Sequence, residues 1–147
     1  MPEAAASGAP HAGACACGAV RFRAAGEPLW AAYCHCADCR KATGAPVTLW
    51  VGFAGDAVSW TGTPAGRSGG AGILRQWCAG CGTPLAYADE TIPGDEIYLA
   101  IGAFEAPERI APQAHAFWAS RLPFLAIADD LPRHDRYSRP RAMGPGA

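Results

Sequence analysis

Seven cysteines in three clusters are the residues of this sequence best suited to chemistry. They are Cys15 and Cys17, then Cys34, Cys36 and Cys39, then Cys78 and Cys81. Zinc takes four thiolates in closed structural sites, whereas catalytic zinc sites commonly have three protein ligands and one open position. Seven cysteines therefore divide as four plus three.

The first and third clusters have the spacing of metal-binding pairs. Cys15 and Cys17 would project from the same face of an extended chain. Cys78 and Cys81 span a tight turn of the metal-knuckle type, in which Gly82 can take a positive φ. Two such pairs can complete a four-thiolate site and connect the first strand to the middle of the domain.

The middle cluster then supplies three ligands from one short loop. The end of a strand would provide Cys34 and Cys36, and the first turn of the following helix would provide Cys39. These sulfurs would surround one ion on three sides. The fourth side is left for water or a ligand.

The cysteine pattern has other interpretations. Disulfides would leave one thiol over, and Cys34 and Cys36 are poorly placed for the Cα separation of about 4.4–6.8 Å in an unstrained bridge. Buried free cysteines are common singly but not in three clusters. A purely structural second site completed by His35 or Asp38 stays open, although His35 would point away from its neighbours on an extended chain. Spacing alone also leaves open a site that shares ligands between the second and third clusters.

Other residues carry weaker signals. His115 and His134 have no partner at metal spacing and are expected at the surface or in the core. The five tryptophans fall in apolar segments and are predicted to be core residues. Arg40 and Lys41 follow Cys39 directly and are expected to be solvated helix residues, but beside an active site they could attract an anionic substrate.

Short strands are predicted to position the clusters in a chain of 147 residues, the size of one domain. The strand segments are GAVRFRA, PLWAAYCHC, PVTLWVGF, TPLAYADE, EIYLAIGAF and AHAFWASR, and one strand on each side of the glycine-rich turn in DAVSWTGTPAGRSGGAGILRQWC. The segment ADCRKATG predicts about two helical turns that end at Gly44. Turn signals recur about every 8–12 residues, so we predict an all-β domain.

Charge and hydropathy exclude several functional classes. The net charge is −1, and residues 133–147 hold four arginines against one aspartate, so the rest of the chain has an acidic excess that does not suit a nucleic-acid backbone. No window approaches the ~18 apolar residues of a membrane span, and the first fourteen residues do not resemble a signal peptide. We expect a soluble cytoplasmic protein, where clustered cysteines bind metal more often than they form disulfides.

The motifs CACGAVRF, CHCADCRKATGAP, CAGCGTPL, IYLAIGAFE and IADDLP together resemble the glutathione-dependent formaldehyde-activating domain, which is shared with centromere protein V. The resemblance covers about residues 13–135 and includes all seven cysteines. It implies a small all-β zinc fold, the β-tent, with two Zn²⁺ per chain. In that fold Cys15, Cys17, Cys78 and Cys81 hold a structural zinc, and Cys34, Cys36 and Cys39 hold a second, open zinc. Residues 1–12 would then be a loose leader, and residues 136–147 a flexible basic tail.

The resemblance and the three-thiolate loop lead to a functional expectation. We expect a zinc-dependent carbon–sulfur lyase that joins a small thiol such as glutathione to formaldehyde, or cleaves the S-hydroxymethyl adduct. Catalysis would take place at the zinc held by Cys34, Cys36 and Cys39. The alternative is a zinc-stabilised protein-binding module without turnover, suggested by the kinship with centromere protein V and by the basic tail. The sequence predicts no oligomeric state.

Overall fold

The computed structural model describes residues 8–140, which form a mostly β structure. The strands are β1 (His11–Ala14), β2 (Arg21–Ala24), β3 (Trp30–Cys34), β4 (Thr48–Ala54), β5 (Val58–Thr61), β6 (Ala65–Ser68), β7 (Ile73–Trp77), β8 (Pro84–Asp89), β9 (Glu96–Ala100) and β10 (Ala114–Ala116). A helix, α1 (Ala37–Thr43), separates β3 from β4, and short 3₁₀ turns follow several strands. The predicted class, an all-β domain with short helical turns, is confirmed.

The strands form two sheets. The smaller sheet has the order β1-β2-β5 and is antiparallel throughout. The larger sheet has the order β10-β3-β4-β9-β8-β7-β6, and its one parallel pair in the described residues is β10 with β3. As a result, β6 and β10 are the two edge strands of the larger sheet.

The main hydrophobic core joins the two sheets. Phe22 of the small sheet belongs to the same buried cluster as Val51, Phe53, Leu85 and Leu99 of the large sheet. Side chains alternate between the faces of a strand, so the residues next to these point to the opposite face. On that face Trp50 and Tyr98 pack in a second buried cluster with Cys39. The large sheet thus has its core on one face and a cysteine cluster on the other.

The helix α1 has well-defined ends. Cys36 is the N-cap in an extended conformation, and its sulfur accepts a hydrogen bond from the Cys39 N–H. Gly44 ends the helix in the left-handed conformation at φ 78°, and its N–H donates to the Arg40 carbonyl at 2.7 Å. Glycine tolerates this conformation without strain, so the predicted helix end at Gly44 agrees with the structure.

From β2 to β10 the strand pattern differs from the sequence expectation in two places. The segment before the glycine-rich turn forms two strands, β5 and β6, where one was expected. The last strand was expected to be long, but β10 has three residues because Phe117 has a φ of 55°, a conformation that ends an extended strand.

The ends of the chain are more ordered than expected over the residues that the structure describes. Residues 11 and 12, assigned above to a loose leader, belong to β1, and His11 is buried. Residues 136–139, assigned above to a flexible basic tail, pack on the domain. Arg139 donates to Glu96 Oε2 at 2.5 Å, and Trp30 Nε1 donates to Ser138 Oγ at 3.1 Å. Residues 1–7 and 141–147 lie outside the described residues.

Within the described residues, no helix has the length and apolar character needed to cross a membrane.

Candidate metal centres

Four cysteines from two distant turns form the first centre. The sulfurs of Cys15, Cys17, Cys78 and Cys81 lie within 4.8 Å of one another. Cys17 Sγ is 3.6 Å from Cys15 Sγ and 3.8 Å from Cys78 Sγ. Zinc–sulfur bonds of about 2.3 Å in a tetrahedron place the sulfurs about 3.8 Å apart, so this donor set fits a zinc ion.

Two glycine turns present these sulfurs. Gly18 and Gly82 both have a φ of 81°, and their N–H groups donate to the carbonyls of Cys15 at 3.1 Å and Cys78 at 2.8 Å. Thr83 joins the two turns, because its Oγ1 accepts from the Ala16 N–H at 3.0 Å. The predicted knuckle at Gly82 is therefore present in the structure.

Hydrogen bonds favour the thiolate at Cys15 and Cys81, whereas at Cys17 the bond from the Ala19 N–H is outweighed by bonds with neighbouring thiols, which raise the pKa to about 11. The Val20 N–H donates to Cys15 Sγ at 3.3 Å, and this bond lowers the pKa of Cys15. Hydrogen bonds with Thr83 lower the pKa of Cys81 to about 5. Metal ligation requires the thiolate form of cysteine, so both shifts prepare the site for a cation.

The second centre consists of Cys34, Cys36 and Cys39, whose sulfurs also lie within 4.8 Å of one another. Cys34 is the last residue of β3, Cys36 caps α1, and Cys39 lies in the first turn of α1. The Cys34 thiol donates to Cys36 Sγ at 3.4 Å, and the Cys39 N–H donates to the same sulfur at 3.3 Å. The strand end and the first helical turn supply the sulfurs in the way the spacing predicted.

The three thiols resist complete ionisation without a cation. Hydrogen bonds from Cys34 and Cys36, together with the Arg75 guanidinium, hold the pKa of Cys39 well below its usual value. Hydrogen bonds with Cys36 and, to a smaller extent, with Cys39 raise the pKa of Cys34 strongly. One thiolate is stable, and further charge in this partly buried cluster needs a counter-ion. A divalent metal with a preference for sulfur meets that need.

The two candidate fourth ligands lie away from the three sulfurs. His35 is fully buried, and its ring contacts His115 and Trp118 rather than the cysteines. The Asp38 side chain is 82% exposed, with Oδ2 3.9 Å from Arg75 Nη2. In the part of the chain that the structure describes, the second ligand cluster contains cysteines only.

A buried polar chain lies behind the cysteine loop. His35 Nε2 and His115 Nδ1 share a hydrogen bond at 2.9 Å, and His115 Nε2 donates to Asp129 Oδ2 at 3.0 Å. Arg133 Nη1 lies 3.2 Å from Asp129 Oδ1. Burial, followed by the charge of His115, lowers the pKa of His35 to about 4. Sequence reasoning missed this chain, because 80 residues separate the two histidines.

Arg40 also holds the cysteine loop in place. Its Nη1 donates to the carbonyls of His35 and Ser120. The expectation that Arg40 is only a solvated helix residue is therefore wrong. The bond to Ser120 connects the start of α1 to the segment that follows β10.

A small aromatic cavity adjoins the second centre. Its volume is about 50 Å³, and Cys34 lines it with Trp50, Tyr87 and Tyr98. The Tyr98 hydroxyl donates to Glu96 Oε1 at 2.7 Å and accepts from Arg139 Nε at 3.2 Å. Arg139 also lines the cavity, so the C-terminal segment forms one of its walls.

Comparisons with known proteins agree with this architecture. Residues 10–120 match the model of the family described as glutathione-dependent formaldehyde-activating enzyme. A crystal structure of a Rhodobacter sphaeroides protein is similar in fold, with a TM-score of 0.54 and 21% identity, and the match covers 69% of this chain and 91% of that chain. None of the curated proteins compared with the chain matches it.

Proposed function

Since the chain belongs to the glutathione-dependent formaldehyde-activating enzyme family, we propose that it is a zinc-dependent carbon–sulfur lyase. Its substrates are a small thiol of the glutathione kind and formaldehyde, or their S-hydroxymethyl adduct in the reverse direction. The reaction takes place beside Cys34, Cys36 and Cys39.

One observation supports this proposal most directly. Three cysteine sulfurs converge on one point without a fourth protein ligand in the described residues, and one of these cysteines lines a cavity. Closed structural zinc sites have four protein ligands, whereas catalytic sites keep a position for substrate or water. The cluster of Cys15, Cys17, Cys78 and Cys81 has the composition of a structural site.

The chemistry requires a deprotonated thiol and a polarised carbonyl. A zinc ion held by Cys34, Cys36 and Cys39 would act as a Lewis acid that lowers the pKa of a thiol and polarises a carbonyl oxygen. The thiolate sulfur attacks the carbonyl carbon, and a carbon–sulfur bond forms. The π electron pair moves to oxygen, which takes up one proton in place of the one lost by the thiol.

A rate measurement tests the proposal. We expect zinc-loaded protein to accelerate the exchange between glutathione, formaldehyde and the adduct above its spontaneous rate, as followed by NMR with ¹³C-formaldehyde. The Cys36→Ser variant is expected to lose this acceleration together with about one zinc per chain. Ser59→Ala, an exposed change on β5, is the folded control. If the wild-type protein gives only the spontaneous rate, the proposed lyase activity is wrong.

The alternative, a protein-binding module that uses the basic tail, has less structural support. Arg133 and Arg139 make ion pairs within the domain, with Asp129 and Glu96. Deleting residues 133–147 would therefore remove packed residues as well as charge. A deletion of residues 141–147 is the cleaner test, and loss of partner capture with unchanged zinc content would support the binding role.

A further inference from the structure

A second and larger cavity lies on the other side of Trp50. Its volume is about 530 Å³, within the range of about 300–1,000 Å³ found for small-molecule sites. The helix α1, the β6–β7 hairpin and β8 enclose it. Trp50 lines this cavity and the small cavity at Cys34, so the two lie next to each other beside the second cysteine centre.

The larger cavity has an excess of positive charge. Lys41, Arg67 and Arg75 line it, and Asp38 is the acidic residue among its described lining residues. A cleft lined by one sign of charge raises the local concentration of ligands of the opposite sign. The lining therefore favours an anionic ligand.

The two arginines stand directly opposite each other. Arg67 of β6 pairs with Arg75 of β7 in the antiparallel register, and like charges in this position destabilise a sheet. Arg75 is compensated by Asp38 Oδ2 at 3.9 Å and Cys39 Sγ at 3.6 Å. No ion pair among residues 8–140 includes Arg67 or Lys41. An anion bound between these side chains would replace the repulsion with attraction.

Two buried donors in the cavity wall also lack an acceptor. Trp50 is 4% exposed, and its Nε1 has no hydrogen-bond partner in the described residues. Arg75 Nη1 is buried and has no partner there either. Buried donors are normally satisfied, and unpaired ones cluster where a ligand or water completes the structure. Trp50 lines both cavities, and Arg75 lines the larger cavity and contacts Cys39 of the cysteine centre.

We propose that the larger cavity binds the carboxylates of an acidic thiol, with Lys41 and Arg67 as the residues that select acidic over neutral thiols. The inference rests on the proposed function and adds a specificity site to it. Arg75 contacts Cys39 and lines the cavity, so it connects the anion site to the reacting centre. The thiol end of such a substrate then lies on the side of the three cysteines.

Binding without turnover tests the site. S-methylglutathione keeps both carboxylates but has no thiol, and its binding can be followed by calorimetry and by tryptophan fluorescence, because Trp50 and Trp77 line the cavity. We expect Arg67→Gln to weaken binding about tenfold, the effect of losing one charge-assisted contact. Lys41→Gln is expected to weaken binding less, because Lys41 is exposed. Arg23→Gln, an exposed change on β2 outside the cavity lining, is the matched control and should bind normally.

Further experiments distinguish recognition of the ligand's charge from recognition of its shape, and ligand binding from catalysis. The dimethyl ester of S-methylglutathione should bind weakly and equally to wild type and Arg67→Gln. In the exchange assay, Arg67→Gln should raise KM for glutathione and leave KM for 2-mercaptoethanol unchanged. Equal binding of acid and ester, or equal binding by wild type and Arg67→Gln, would overturn the site even if the protein is active. The protein could instead bind S-methylglutathione with the expected selectivity and accelerate no exchange. This result would contradict the lyase activity and still support the anion site.

Discussion

Asp129 connects the C-terminal segment to the cysteine loop through buried histidines. It accepts from His115, which shares a hydrogen bond with His35 between two of the proposed ligands. We expect Asp129→Asn to lower the denaturant midpoint and to speed the release of zinc from the second centre, because residues behind a metal site hold its ligands in place. Asp130→Asn changes the neighbouring exposed carboxylate and is expected to do neither.

The titration of Asp129 itself should add no pH dependence to the destabilisation in Asp129→Asn between pH 5.5 and 8. Burial raises the pKa of Asp129, but the hydrogen bonds from His115 and the Leu131 N–H outweigh it and leave the pKa below its usual value. The contribution of the carboxylate is therefore complete above the unfolded pKa of about 3.9 and is lost only as the pH falls through the lower folded value. Urea titrations of wild type and variant at pH 5.5, 7 and 8 measure the difference. A difference that shrinks by pH 5.5 would mean that Asp129 titrates higher than the structure indicates.

The elements of the fold approach each other closely at β1. A Cβ added to Gly13 would lie 2.1 Å from Phe22 Cζ and 2.5 Å from the Ala103 carbonyl oxygen. We expect Gly13→Ala to destabilise the protein by about 1–3 kcal/mol, the usual effect of overpacking a core. Gly102→Ala is the matched control, because no heavy atom lies within 4 Å of its added Cβ. Denaturant unfolding of both variants measures the effect, and equal stabilities would mean that β1 can move away from β2.

Strands with a clear alternation of apolar and polar residues were predictable from sequence. Val20 and Phe22 mark β2, and Ile97 and Leu99 mark β9, because burial on one face imposes a period of two. The segment AGRS of β6 has no such alternation, since this edge strand is mostly exposed. The end of β10 was not predictable, because the positive φ of Phe117 is a tertiary effect on a residue that usually avoids it.

The two cysteine clusters were predictable to a similar degree. Ligands close in sequence, such as Cys34 and Cys36, are constrained by local geometry, so their spacing carries information about the site. Contacts between residues of distant strands produce no comparable spacing pattern in the sequence. The pairing of Arg67 with Arg75 and the bond from His115 to Asp129 both depend on tertiary register. The grouping of Cys15 and Cys17 with the 78–81 turn needed the family resemblance as well.

At the scale of the whole molecule the two centres differ in how much structure they join. Cys15 and Cys78 belong to the main core cluster, and their centre closes a loop of more than sixty residues. The second centre closes a loop of six residues between Cys34 and Cys39. Loss of a structural zinc removes about 10–16 kcal/mol of apparent binding free energy, which exceeds the stability of about 5–15 kcal/mol of a typical domain.

We therefore expect Cys78→Ser to be insoluble or molten, whereas Cys36→Ser folds with about one zinc fewer per chain. Thermal melts followed by near-UV circular dichroism compare the two variants, and metal analysis counts the zinc. A Cys78→Ser protein that melts like wild type, or a Cys36→Ser protein that collapses, would reverse the assignment of structural and reactive centres.

The position of β6 at the sheet edge has a consequence for how this architecture can evolve. In the described sheet β6 pairs with β7 alone, and its residues are mostly exposed, so mutations there have little effect on folding. Arg67 nevertheless faces the larger cavity. If Arg67 selects acidic thiols as proposed, selection can alter the preference for one thiol over another while the cysteine loop stays unchanged. A relative that keeps all seven cysteines but carries a neutral residue at the position of Arg67 is expected to have diverged toward uncharged thiols.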